Sequence, residues 1–196
     1  MKKGRWVAAI LGLMAAAVAV PAAAQGDTGI YLGGSGGMAH WTRSCAQSNV
    51  PCDDNDVEWR AFAGYRFNRW LGAEVAYFDL GEASGNGLLG GAPASFQLEA
   101  YGFDAVAVAT VQLVGQLHFV GRLGIYWARS TVNQQFAGFD GQTSAGTNHN
   151  YTFGAGLQYN LGPIGLQASW QRYDNVGTGD VEDDVDYYSL GLIWRF

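Results

Sequence analysis

The chain has 196 residues, with 17 acidic side chains against 11 basic ones and an aromatic share of 14%. Lys2, Lys3 and Arg5 precede position 24 and every acidic residue follows it, so the remainder carries eight arginines, no lysine and a net charge of −9. An acidic chain without a basic patch excludes nucleic acid as a partner, and frequent aromatics with few charges exclude a disordered chain.

The first 24 residues read as a secretory signal. A basic start leads into the apolar run Val7–Val20, then into Pro-Ala-Ala-Ala-Gln, where Ala22 and Ala24 supply the small residues before a cleavage point. Fourteen apolar residues are too few to cross a bilayer as a helix. Residues 25–196 are expected to form one mature domain without a linker. Cys45 and Cys52, the only cysteines, have six residues between them. In the oxidising space reached by export they are expected to form a disulfide that clips a loop, since two thiolates without a suitably spaced histidine make an incomplete zinc site.

Eight segments of period-two alternation follow, separated by clusters of Gly, Asn, Asp, Ser and Pro. They are Thr28–Trp41, Val57–Phe67, Leu71–Leu80, Phe96–Val111, Leu117–Arg129, Asn150–Leu161, Ile164–Asp174 and Val185–Phe196. The second is the clearest: Val57, Trp59, Ala61, Ala63, Tyr65 and Phe67 share one face, and Glu58, Arg60, Phe62, Gly64 and Arg66 the other. In the fourth, Tyr101 and Phe103 are expected to face outward because that turns Asp104 inward. The last segment places Tyr188, Leu190, Leu192, Trp194 and Phe196 on one face. Connections alternate between a few residues and ten to about twenty, as in an up-and-down meander whose two ends meet different compartments.

The charge-bearing face is glycine-rich and holds isolated charges of both signs, whereas the opposite face is an unbroken apolar row ending in aromatics. A soluble β-sandwich or lipocalin-like barrel would bury that apolar row. The aromatic ends of the segments and the terminal phenylalanine favour lipid outside instead. In lipid no strand edge can stay unpaired, so the sheet must close, and about 9–11 residues per strand is the length that crosses at a tilt. The expected fold is therefore all-β, an eight-stranded antiparallel up-and-down transmembrane β-barrel with short periplasmic turns and long extracellular loops. Tyr31, Trp41, Trp59, Tyr65, Trp70, Tyr126, Trp127, Trp170, Tyr188 and Trp194 are expected in aromatic girdles.

With this pattern the mature chain resembles the small eight-stranded outer-membrane barrels of the OmpA-like transmembrane family. The ending Ser-Leu-Gly-Leu-Ile-Trp-Arg-Phe resembles the terminal assembly signal of such proteins, with Ser189, Gly191, Trp194 and Phe196 as its marks. The stretch ending Trp170, Arg172, Tyr173, Asp174 resembles the family's penultimate strand, and Arg122 and Gly124 lie in a stretch resembling its fifth. The resemblance implies the Gram-negative outer membrane as location and recognition of the last strand by the barrel-assembly machinery. One departure is that Gln167, Ser169 and Gln171 stand where family members bring charges inward. No peptidoglycan-binding domain is recognised after the barrel, so a tethering role is not expected.

The lumen charges are expected to be Glu58, Arg60, Arg66, Glu74, Asp104 and Arg122, with Arg66, Glu74 and Arg122 in the periplasmic half and Arg60 and Asp104 higher. They serve either as structural ion pairs or as a salt-bridge gate for small ions. An eight-stranded barrel is only wide enough for its side chains to fill. A non-enzymatic role in envelope integrity is therefore expected, for a monomer in contact with outer-membrane lipid and lipopolysaccharide and without a cofactor. Surface recognition by the loops is the alternative. Lipid-modifying catalysis would need a nucleophile beside a histidine at the outer rim, and His40, His118 and His149 show no such spacing. The acidic runs around Asp53, Asp54 and Asp56 and around Asp180, Glu182, Asp183, Asp184 and Asp186 lack calcium-loop spacing and are expected to form a solvated rim.

Overall fold

The computed structural model describes residues 28–42, 52–53, 55–89, 92–136, 143–178 and 181–196. Regular structure among these residues is entirely strand: β1 (Gly29–Trp41), β2 (Cys52–Asp53), β3 (Asn55–Arg66), β4 (Leu71–Leu89), β5 (Ala92–Val114), β6 (Leu117–Phe136), β7 (Thr143–Leu161), β8 (Ile164–Thr178) and β9 (Val181–Arg195). β2 is a two-residue flap on Ser84 and Gly85 of β4. The other eight pair antiparallel with their chain neighbours, and β1 pairs with both β3 and β9, so the sheet closes into a barrel with no free edge. The expected Cys45–Cys52 disulfide and the expected signal segment lie outside the residues whose side chains are described.

One end of the barrel carries three tight connections. At residues 67–70, Asn68 Oδ1 accepts the backbone N–H groups of Trp70 and Leu71 at 2.8 and 2.9 Å, which stands in for a backbone turn. The other two place Gly115 (φ +54°) and Gly162 (φ +61°) in the left-handed region.

The alternation sorts the side chains as expected. Val57, Leu123, Leu190 and Leu192 are 58–77% exposed on the outer wall, and Tyr188 and Trp194 stand out with them. Tyr101 and Phe103 face outward, and Asp104 is buried inside. A contiguous apolar outer wall on a closed sheet whose charges point inward is the arrangement that hydrocarbon requires.

Two expectations are corrected. Tyr31, Trp41 and Tyr126 are not girdle residues; they are buried inside the barrel. Tyr126 and Trp127 are adjacent, so only one of them can face lipid. The glycine-rich β1 offers too few apolar positions to reveal which parity is outward. The long connections are also shorter than expected: β4 runs on to Leu89, β6 to Phe136 and β8 to Thr178, and their partner strands begin correspondingly earlier. Past the membrane, backbone groups of chains already in register satisfy one another across the ladder. Local irregularities hid this from the sequence. The register shifts between Asp79 and Glu82, around Gly81 (φ +69°), and between Tyr173 and Val176, around Asn175 (φ +51°). Residues that read as loop punctuation are bulges inside continuous strands.

Candidate functional site

The lumen is filled in layers. In the middle, Arg60 of β3 grips Asp104 of β5 through two parallel bonds, Nη2 to Oδ1 at 2.8 Å and Nε to Oδ2 at 3.0 Å. Both of its terminal nitrogens also lie 3.4 Å from Glu74 Oε2 on β4. Arg122 of β6 donates from Nε to the same Glu74 oxygen at 3.0 Å and from Nη2 to Gln167 Oε1 of β8 at 2.8 Å. Two cations and two carboxylates thus form one neutral chain across four strands, and Gln167 extends it to a fifth. All four residues are at most 5% exposed.

Neutral partners complete the chain. Tyr31 donates to Glu74 Oε1 and Tyr173 to Asp104 Oδ2, each at 3.0 Å. Gly64 makes the first of these contacts possible, because a Cβ there would occupy the Tyr31 ring. The Arg60 guanidinium also lies 5.0 Å from the centre of the Phe62 ring. A charge in a confined lumen is costly unless it is paired and hydrogen-bonded, and here each of the four is.

Above this layer sits an apolar and aromatic one. Phe78 and Tyr173 meet at a tilt with ring centres 4.6 Å apart, and Tyr126 meets Tyr173 edge-on at 5.5 Å. Trp41, Leu80, Val176, Val185 and Tyr187 pack around them. Below the ion chain, Tyr31, Arg66, Glu74, Thr110, Gln158 and Ile193 line a cavity of about 10 Å³ at the short-turn end, about the room one water needs.

Of the six predicted lumen charges, the structure joins Arg60, Glu74, Asp104 and Arg122. Glu58 is buried two residues above Arg60, near Tyr173 and Tyr187. Arg66 stands at the short-turn mouth, away from the chain. The sequence did not reveal Tyr31, Tyr173 and Gln167 as partners. Their signal was inward parity on strands whose outward rows were already known. Gln167 ends the chain with an amide where a charge was missing.

The acidic rim departs from expectation. Asp183, Asp184 and Asp186 are buried rather than solvated. Asp186 accepts from Arg172 Nε at 2.8 Å and from the Trp170 indole at 2.9 Å, and Asp184 Oδ1 accepts the Asn175 N–H that the bulge leaves without a ladder partner. His118 lies at the short-turn end beside the Gln116 carbonyl and the Asn160 amide, and His40 and His149 point outward. Phe196, past the end of β9, still bonds through its N–H to the Ile30 carbonyl at 3.1 Å.

A closed sheet with a lipid-facing outer wall and a filled polar bore defines a transmembrane β-barrel protein. Residues 25–196 match the family described as OmpA-like transmembrane domain, and the chain belongs to that family, whose barrels lie in the Gram-negative outer membrane. It is 26% identical over 198 residues to outer membrane protein A of Escherichia coli O157:H7, covering 96% of this chain and 54% of that protein. The chain thus spans about half the length of the curated relatives it matches. Among solved structures, Neisserial surface protein A superposes with a TM-score of 0.59 at 18% identity, over 85% of this chain and 97% of that one. The attachment invasion locus protein Ail of Yersinia pestis, in complex with the heparin analogue sucrose octasulfate, gives 0.51 at 19%, over 88% and 100%. These two likenesses concern the fold.

Proposed function

We propose that this protein is a structural, non-enzymatic outer-membrane barrel that supports envelope integrity, presents tall hairpins to the exterior and keeps its lumen closed to solutes. The observation that carries this proposal is the succession of two barriers in one bore, a neutral ion-pair chain and the Phe78–Tyr126–Tyr173 layer above it. A salt-bridge gate would open when its bridge is broken. Here an ion freed past Arg122 still meets the packed rings of Phe78, Tyr126 and Tyr173, which leave no room for its water. Purified protein in a planar bilayer is therefore expected to show no stable conductance, and Arg122→Ala alone is expected not to create one. The double variant Phe78→Ala/Arg122→Ala is expected to leak small ions. Steady channels from Arg122→Ala would support the gate instead.

The last strand is proposed to double as the sequence read by the barrel-assembly machinery. Ser189 and Gly191 face the bore, Trp194 faces outward, and Phe196 contributes one backbone bond to closure. Deleting Phe196 is expected to lower the outer-membrane amount in cells several-fold. Refolding of the purified chain into detergent is expected to stay nearly unchanged, since one half-buried residue past the last strand contributes little to the closed ladder. Equal losses in both assays would make the residue purely structural.

A further inference from the structure

The ring of strands is closed through the membrane, and above it the ladders end at different heights. β4, β5, β6 and β7 continue together as a four-stranded sheet, flanked on the β4 side by the two-residue β2. On the β7 side this sheet has no neighbour among the described residues. The β7–β8 ladder begins only at Thr152 and Tyr173, although β7 pairs with β6 without interruption as far as Thr143. β8 leaves β7 at its register shift between Tyr173 and Val176, and the hairpin it forms with β9 leans over the bore, where Val176 and Val185 are fully buried. Residues 143–151 are thus an open strand edge. At its foot the Tyr151 N–H is taken by Asn150 Oδ1 at 2.8 Å, in the place where a strand partner would accept it. Lower down, the carbonyls of Arg172 and Trp170 face β7 opposite Phe153 and Ala155. Backbone groups alternate sides along a strand, so those of Ala145, Thr147 and His149 point to the open side, and none is bonded there among the described residues. The edge has no lysine, arginine, carboxylate or proline and no bulge, the features that usually blunt an exposed strand.

We propose that the β7 edge binds an extended, basic segment of a partner polypeptide as an added strand. The form of the occupant follows from the free groups. A row of alternating N–H and C=O donors and acceptors is completed by another extended backbone, and main-chain hydrogen bonds then supply the affinity. Its charge follows from the surroundings. The mature chain carries −9, and three of its eight arginines, Arg66, Arg69 and Arg195, lie at the short-turn end, so the excess of carboxylates is greater still toward the hairpins. Asp174 stands at the foot of the gap, and Glu99 is exposed on the outward face of the tall sheet. Lysine or arginine side chains on the incoming strand meet this field favourably, whereas a second copy of the chain would bring the same negative charge and be repelled. The inference rests on the exterior placement of the tall hairpins in the reading above but not on a sealed lumen, so a conducting barrel would leave it standing.

The test uses the full mature chain refolded in detergent and a short fluorescent probe peptide of alternating threonine and lysine. Binding is read by fluorescence anisotropy, and amide hydrogen exchange followed by NMR locates it. Wild type is expected to bind the probe and to show slowed exchange at Ala145, Thr147 and His149. Thr147→Pro removes one donor on the open side and leaves the β6 ladder intact, and it is expected to weaken binding about tenfold. Thr147→Val keeps that donor and is expected to match wild type. A probe with every amide N-methylated is expected not to bind, and one with glutamate in place of lysine to bind more weakly. Each variant is first shown to be folded by the shift in gel mobility between unboiled and boiled samples. Four results would overturn the proposal. They are equal binding by folded Thr147→Pro, equal binding of the methylated probe, equal binding of the glutamate probe, and slow exchange at the three amides before any probe is added, which would mean that the chain itself or a second copy covers the edge.

Discussion

Arg60→Ala is expected to destabilise the folded barrel by about 3–5 kcal/mol, the usual consequence of removing one partner from a buried ion pair. The loss exceeds that of a surface pair because Arg60 satisfies two carboxylates at once, both oxygens of Asp104 and one of Glu74. Without it Asp104 keeps only the Tyr173 hydroxyl, and Glu74 keeps Arg122 and Tyr31. Arg122→Ala should cost less, since Glu74 then still has Arg60. Urea titration in detergent, followed by tryptophan fluorescence, measures both. The double variant Arg60→Leu/Asp104→Leu should recover most of the loss, because removing both charges leaves only Glu74 and Arg122, which already neutralise each other. A double variant as unstable as Arg60→Ala would mean that packing around the guanidinium, rather than its charge, is what the site requires.

Gly124→Val is expected to prevent closure of the barrel, seen as loss of the unboiled folded band. Gly124 faces the bore between Arg122 and Tyr126, opposite Val106 on β5. A Cβ added there would fall against the Ala105 carbonyl oxygen and the Val106 Cα, both backbone atoms that cannot turn aside. Even Gly124→Ala should cost about 1–3 kcal/mol, the range for overpacking a tight interior. Gly121 on the outward face of the same strand is the control. Its nearest neighbour for an added Cβ is a Phe119 ring atom at 3.8 Å, so Gly121→Ala should be neutral or slightly stabilising. Equal tolerance at both positions would show that β5 and β6 can move apart without cost.

Much of this molecule was legible before folding. In β3 and the residue after it the row Val57, Trp59, Tyr65, Phe67 and its charged counter-row fixed which face meets lipid, because a period of two leaves a strand only two choices. The same parity placed Arg60, Glu74, Asp104 and Arg122 in the bore. It failed where its signal was thin: glycine-rich β1 concealed that Tyr31 and Trp41 point inward, and Tyr126 was placed in the girdle beside Trp127 although only one of two adjacent residues can face lipid. The bulges at Gly81 and Asn175 look, in one dimension, like the ends of strands.

Alternation along each segment is a local property, so the residues alone determined that the sheet is amphipathic, that it must close and which way most side chains face. Which arginine meets which carboxylate depends on how far each strand is staggered against the next around the ring. That stagger is set jointly by eight ladders and has no local trace. Only the closed barrel therefore decided that Arg60 bridges Asp104 and Glu74, that Gln167 ends the chain as a neutral cap, and that aromatic rings pack the bore above it.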